Sequence, residues 1–305
     1  MKEYFQKIKR EHILIAAIAV LFLSNIFSFF IFSEKHTNKY PLLDPDHGMY
    51  EQKDLIINVQ TLRNQFEEIG KDQNVSVYFE FLNTGANISI NKDIEIWPAS
   101  LMKIPIAIAA MKKVEDGEWK LEKKFTIKDE DKNADFGSMY LKPTGSTVSL
   151  EELLNELLIN SDNTARNILA QNLSIQEIEE VLVHIGIEYD FKNDAKISSK
   201  KYAVIWRALY SSSYLSPENS QRLIKIMTKS SAKNYLAPGI PESVEFSHKI
   251  GVLHDEKTYA DAGIVYVQNR PYILVVMTKN YSQQESEEIM KDISEKAYKY
   301  ISEYK

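Results

Sequence analysis

The sequence predicts an α+β fold: a mainly antiparallel five-stranded sheet with flanking N- and C-terminal helices and an all-helical lobe, preceded by one transmembrane helix. Three observations predict it. Strand-like alternation occurs in two separate places, Val75 to Ile90 and Val244 to Thr278, and helix-periodic stretches fill the chain between them. Strands separated by a block of helices join most simply as a mainly antiparallel sheet, with the helices as a second layer or lobe. An uncharged run from Ile13 to Phe32 precedes all of this.

That run, at ~1.5 Å per residue, is long enough for the ~30 Å hydrocarbon core of a bilayer. It ends Phe29-Phe30-Ile31-Phe32 without a small-residue cleavage pattern, so it reads as an uncleaved anchor rather than a signal peptide. Lys2, Lys7, Lys9 and Arg10 precede it, which places the N-terminus in the cytoplasm and the rest of the chain outside. The expected organisation is a cytoplasmic N-terminus over 1–12, an anchor over 13–32, a linker over 33–49 with Pro41, Pro45 and Gly48, and a folded domain over 50–305.

Within that domain Leu55, Ile56, Val59, Leu62, Phe66 and Ile69 form an amphipathic stripe that ends near Gly70. Val75, Val77, Phe79 and Phe81 alternate, as do Ile88 and Ile90, around the turn residues Asn83-Thr84-Gly85, which predicts a hairpin. Pro98 disfavours helix at Trp97, and Ala99 to Lys113 then reads as a helix. Residues 118–149 read as loop with short strands. Leu150 to Leu158 is a strongly apolar helix, stopped at Asn160-Ser161-Asp162-Asn163. Asp162 or Asn163 is the expected cap of the next helix. Helices follow over Ser174–His184, Ser198–Tyr210 and Ser216–Thr228, the last announced by Pro217. Strands are expected from Val244 to Gly251, Gly263 to Val267 and Tyr272 to Thr278, and a closing helix from about Ser282.

Composition narrows the function. The 305 residues carry a net charge of −6 and no cysteine. A basic field for nucleic acid is absent, and disulfides, thiolate catalysis and cysteine-linked lipid are excluded. The six histidines show no metal-ligand spacing, so neither a metal nor another cofactor is expected.

One pair of residues stands out. Ser100 and Lys103, in Ser100-Leu101-Met102-Lys103, lie three apart and share a helical face. A serine needs a base to become a nucleophile, and a lysine held in apolar surroundings has its pKa lowered enough to serve. A helix-capping serine is the bland alternative. Two further motifs follow in order, Ser161-Asp162-Asn163 and Lys249-Ile250-Gly251.

Together these three resemble the S-x-x-K, S-D-N and K-T-G set of class A β-lactamases and penicillin-binding proteins. The resemblance covers residues 50–305, and Asp261-Ala262-Gly263-Ile264-Val265 is similar to the strand that follows in such proteins. It implies catalytic roles for Ser100 as nucleophile, Lys103 as base and Ser161 as proton relay. It implies substrate binding by Asn163, Lys249 and Gly251, and an oxyanion hole from the backbone N–H groups of Ser100 and Val252. Asp162 is expected to satisfy loop backbone donors. The implied substrate is a β-lactam or a peptidoglycan peptide of the D-Ala-D-Ala kind, met outside a bacterial cell membrane.

Two departures qualify what is implied. Ile250 stands where the family has a hydroxyl residue that helps bind the substrate carboxylate. The Glu-x-x-Leu-Asn element whose glutamate activates the releasing water in class A enzymes has no counterpart between Ile185 and Asp194, where Glu188 and Asp190 are the nearest carboxylates. The alternative reading is a catalytically weak wall-binding or sensor domain on the same fold.

Overall fold

The structure is a computed structural model that describes residues 39–44, 52–56, 58–71, 73–189 and 196–304, with the isolated positions 12, 20, 22 and 24. The chain divides into two compact units, Met1–Pro41 and Leu42–Lys305. In the first, His12, Val20, Phe22 and Ser24 are helical, with Val20 and Phe22 exposed. The anchor expected over 13–32 otherwise lies outside the described residues, among which no helix is long and apolar enough to cross a membrane.

The second unit is built on one antiparallel sheet. Its strands are β1 (Val75–Phe81), β2 (Ala86–Ile90), β5 (Glu245–Leu253), β6 (Thr258–Tyr266) and β7 (Tyr272–Lys279), in the order β2-β1-β7-β6-β5. The β1–β7 register, Val75 opposite Thr278 through Phe81 opposite Tyr272, joins the two ends of the domain. Short strands β3 (Lys124–Thr126) and β4 (Thr147–Ser149) pair separately. The five expected strands are thus present, and β6 begins well before the expected Gly263.

The two faces of β1 show how the layers are divided. Alternate residues of a strand point to opposite faces. Val75, Val77, Phe79 and Phe81 belong to a hydrophobic cluster with Leu62 and Phe66 of α1 (Gln60–Ile69) and Met290, Ile293, Ala297 and Ile301 of α8 (Gln283–Glu303). Burying each such large side chain contributes ~1.5–3 kcal/mol. The intervening Ser76, Tyr78 and Glu80 face α6 (Ser199–Tyr210). There the Ser76 and Ser199 hydroxyls are 2.7 Å apart, and Arg207 donates to the Tyr78 hydroxyl at 2.9 Å and pairs with Glu80.

The remaining helices are α2 (Lys103–Glu115), α3 (Leu150–Ile159), α4 (Asn163–Asn172), α5 (Ile175–His184) and α7 (Pro217–Met227). Helix α2 starts without a side-chain cap, whereas α3 to α8 are started by Ser or Asp caps, as expected from such residues at such positions. Ser149, Ser174, Ser198, Ser216 and Ser282 each accept from a backbone N–H three residues on, and Asp162 rather than Asn163 caps α4. The first amphipathic stripe is helical only from Gln60; Ile56 and Val59 are buried from non-helical backbone. Part of the expected linker is docked: Leu42 and Leu43 are buried, and Leu42 accepts a hydrogen bond from Tyr266 Oη at 2.9 Å.

Candidate active site

Ser100 does not begin an α-helix. Ala99–Met102 form a 3-10 turn, and α2 starts at Lys103. Ala99 sits at φ 47°, left-handed backbone that costs a residue with a Cβ ~1–2 kcal/mol. The turn persists because the surroundings hold it. Leu101 N–H donates to Pro98 O at 3.0 Å, and the fully buried Tyr202 of α6 donates its hydroxyl to Leu101 O at 2.7 Å. Strand β5 presses on the turn from the other side. A Cβ on Gly251 would lie 2.3 Å from Pro98 O, so only glycine allows this approach.

Lys103 projects from the start of α2 into the domain, 3% exposed. Its Nζ donates toward Ser161 O, Ser161 Oγ at 3.1 Å and Asn163 Oδ1 at 2.7 Å. Burial, helped by the charges of Lys249 and Arg166 and opposed by Asp162, lowers its pKa to about 6. Desolvation disfavours the cation, and two neighbouring cations disfavour it further. Lys103 is therefore largely neutral at pH 7.

The Ser161-Asp162-Asn163 corner is also held in an unusual backbone. Ser161 has φ 55°. Asp162 is fully buried and spends its carboxylate on structure: Oδ1 accepts from Ala165 N–H and Oδ2 from Met139 N–H, each at 2.8 Å. Gly137, at φ 85°, lies against it so closely that a Cβ would reach 2.0 Å from Oδ2. Asn163 donates its amide to Asn133 Oδ1 at 3.1 Å. The strained serine is thus fixed from both sides, which is how backbone strain survives at a functional site.

Lys249 lies on β5, 2% exposed, and donates to Ile250 O at 3.1 Å. It shares a face with Ser247, whose hydroxyl bonds Ile224 O of α7, so it points toward the helical lobe. Burial lowers its pKa to about 7, against the opposing pull of Asp261. Ile250 points the other way and packs against the α1/α8 hydrophobic cluster. Ile250 therefore places its apolar side chain on the far face of the strand and supplies no hydroxyl there. His248 shares that far face, its Nδ1 3.0 Å from Asp261 Oδ1.

A cleft of about 650 Å3 opens over the turn and brings Ser100, Lys103, Asn163 and Val252 to one lining. Lys249, Ser161 and Gly251 are not among its lining residues. Sequence reasoning missed several lining residues: Asp135, Phe136, Arg166 and Tyr189. Only Arg166 had a usable signal, its position one helical turn after Asn163. Glu188 is exposed and does not line the cleft, and Asp190 lies outside the described residues. Among the described residues, no group of three or more His, Cys, Asp or Glu is placed to hold a metal ion.

A nucleophile candidate beside a neutral buried lysine, a polar corner and a buried second lysine is the constellation expected from the three motifs. Residues 60–301 match the Beta-lactamase enzyme family. The chain belongs to the beta-lactamase enzyme family. It is accordingly a serine hydrolase. Among curated relatives of this β-lactamase-family protein is Beta-lactamase VEB-1 of Pseudomonas aeruginosa, 24% identical over 275 residues, which are 80% of this chain and 92% of that protein. Among solved structures, PBP-A superposes with a TM-score of 0.72 at 24% identity, covering 80% of this chain and 97% of that one. The beta-lactamase from Sphaerobacter thermophilus DSM 20745 gives 0.73 at 20% identity, with 80% and 98% covered.

Proposed function

We propose that the protein is acylated on Ser100 by a β-lactam or a D-Ala-D-Ala-like peptide and releases the acyl group slowly, as a penicillin-binding enzyme does. The observation that carries this reading is Lys103: buried, held by Ser161 and Asn163, and lowered to about 6. A general base near neutral pH is the group a serine nucleophile lacks. Neutral Lys103 takes the hydroxyl proton as Ser100 Oγ bonds to the carbonyl carbon. The N–H groups of Ser100 and Val252 hold the oxyanion; losing one such donor typically costs ~3–4 kcal/mol. Ser161 then carries the proton from Lys103 to the leaving nitrogen as the C–N bond breaks. Asn163 holds the acyl-side amide, cationic Lys249 attracts the carboxylate, and Gly251 keeps β5 close enough for both. Slow release is supported by the lining itself, which contains no glutamate among the described residues. A solved PBP-A variant is described as an acyl-enzyme complex with penicillin G.

The uncharged run at 13–32 supports single-pass anchoring in a bacterial cell membrane, N-terminus inside and the domain facing the wall. Protection of the domain from added protease in spheroplasts would overturn that orientation. For the chemistry, intact mass is followed after mixing the protein with a fluorescent penicillin. A long-lived adduct, absent in Ser100→Ala, is expected. A transient adduct with accumulating product would make the protein a β-lactamase proper, and no adduct would sink the acylation reading.

A further inference from the structure

We propose that Arg166 selects substrates whose acyl side chain carries a second carboxylate at the end of an aliphatic stem. The inference rests on the acyl-enzyme reading above and deepens it by naming the substrate class. Arg166 stands three residues after Asn163 on α4, so the two share a helical face. Both line the cleft, and on the acyl-enzyme reading Asn163 is the residue that holds the acyl-side amide. The guanidinium is exposed, and among the described residues no carboxylate lies within ion-pairing distance of it. An arginine pointing into a substrate cleft without an internal partner is free to take a carboxylate in a two-pronged hydrogen bond.

The neighbourhood supplies the rest of the specificity. Ile106 of α2 and Ile175 and Ile178 at the start of α5 line the same cleft, giving an apolar wall for a methylene stem. The charge of Arg166 is felt at Lys103, where it contributes to holding that amine neutral. Asp135 also lines the cleft, but it is engaged with Asn133: its Oδ2 accepts from the Asn133 amide at 3.2 Å and its N–H donates to Asn133 Oδ1 at 3.0 Å. Lys249 is the cation for the carboxylate on the leaving-group side. Arg166 is thus a second cation, placed for a different substrate carboxylate.

The test compares two penicillins that differ only at the end of the acyl chain, N-adipoyl- and N-hexanoyl-6-aminopenicillanic acid. The readout is the ratio of their second-order acylation rate constants, which cancels any common effect on Lys103. Wild type is expected to prefer the adipoyl compound about tenfold. That preference should shrink as salt is raised, vanish in Arg166→Gln and invert in Arg166→Glu. An equal ratio in wild type and Arg166→Gln overturns the proposal. Binding of N-adipoyl-glycine and N-hexanoyl-glycine to Ser100→Ala, with and without Arg166→Gln, reads the same contact without chemistry. If neither penicillin acylates the protein but N-adipoyl-glycine binds in an Arg166-dependent way, the acylation reading falls and Arg166 stands. If binding is independent of Arg166, the proposal falls on its own.

Discussion

Replacing Lys103 by methionine should change how stability responds to pH, in a direction and by an amount fixed by burial. In the folded protein the Lys103 pKa is lowered to about 6, while in the unfolded chain a lysine titrates near ~10.4. Between these values the unfolded state holds one proton more than the folded state. Stability therefore rises with pH across the window, is lost as pH falls toward 6, and changes no further below it. One proton corresponds to about 1.36 kcal/mol per pH unit. From pH 9 to pH 7 the wild type should lose roughly 2.7 kcal/mol more than Lys103→Met. The hydrogen bonds that Lys103 makes to Ser161 and Asn163 are lost at both pH values, so they cancel in this difference. Lys249 titrates in both proteins. Lys103 carries little charge between pH 7 and pH 9, so replacing it leaves the Lys249 contribution nearly the same in both. Urea unfolding of both proteins at pH 7 and pH 9 measures it. Parallel shifts would mean that Lys103 keeps its proton when folded, and the assignment of a neutral base would be refuted.

Three further outcomes are expected. Acylation by a carboxylate-bearing penicillin should follow a bell-shaped kcat/KM profile. It rises as Lys103 loses its proton near pH 6 and falls as Lys249 loses its charge near pH 7. An ester analogue without the carboxylate should lack the alkaline limb, and identical limbs for both would contradict the role of Lys249. Gly251→Ala should lower stability by ~1–3 kcal/mol and cut acylation, because β5 must retreat from Pro98 O; an unchanged melting temperature would show that the contact is not tight. Tyr202→Phe leaves Leu101 O without its buried donor and should cost ~1 kcal/mol, seen in chemical denaturation, with a slower acylation step from a looser Ser100 turn.

The sequence by itself determined the layers and the chemistry-bearing residue types. Alternation at 75–90 and 244–278 and the helical stripes between them follow from which faces must be buried, and burial acts locally on each element. The three motifs identify Ser100, Lys103, Ser161, Asn163 and Lys249 because few chemistries need those residues in that order. Tertiary structure decided the rest. The left-handed backbone at Ala99 and Ser161 has no local signal, since both residues would relax without Tyr202, Asp162 and Gly137 around them. The low pKa of Lys103 depends on burial and on Lys249 and Arg166, all brought close only by folding. Which face of β5 carries Ile250 depends on where the helical lobe packs, and that placed its side chain in the hydrophobic layer. Arg166 gained meaning only when the cleft formed around it: in sequence it is one more charged helix residue, while in the fold it lines the cleft with Asn163 and has no carboxylate partner among the described residues.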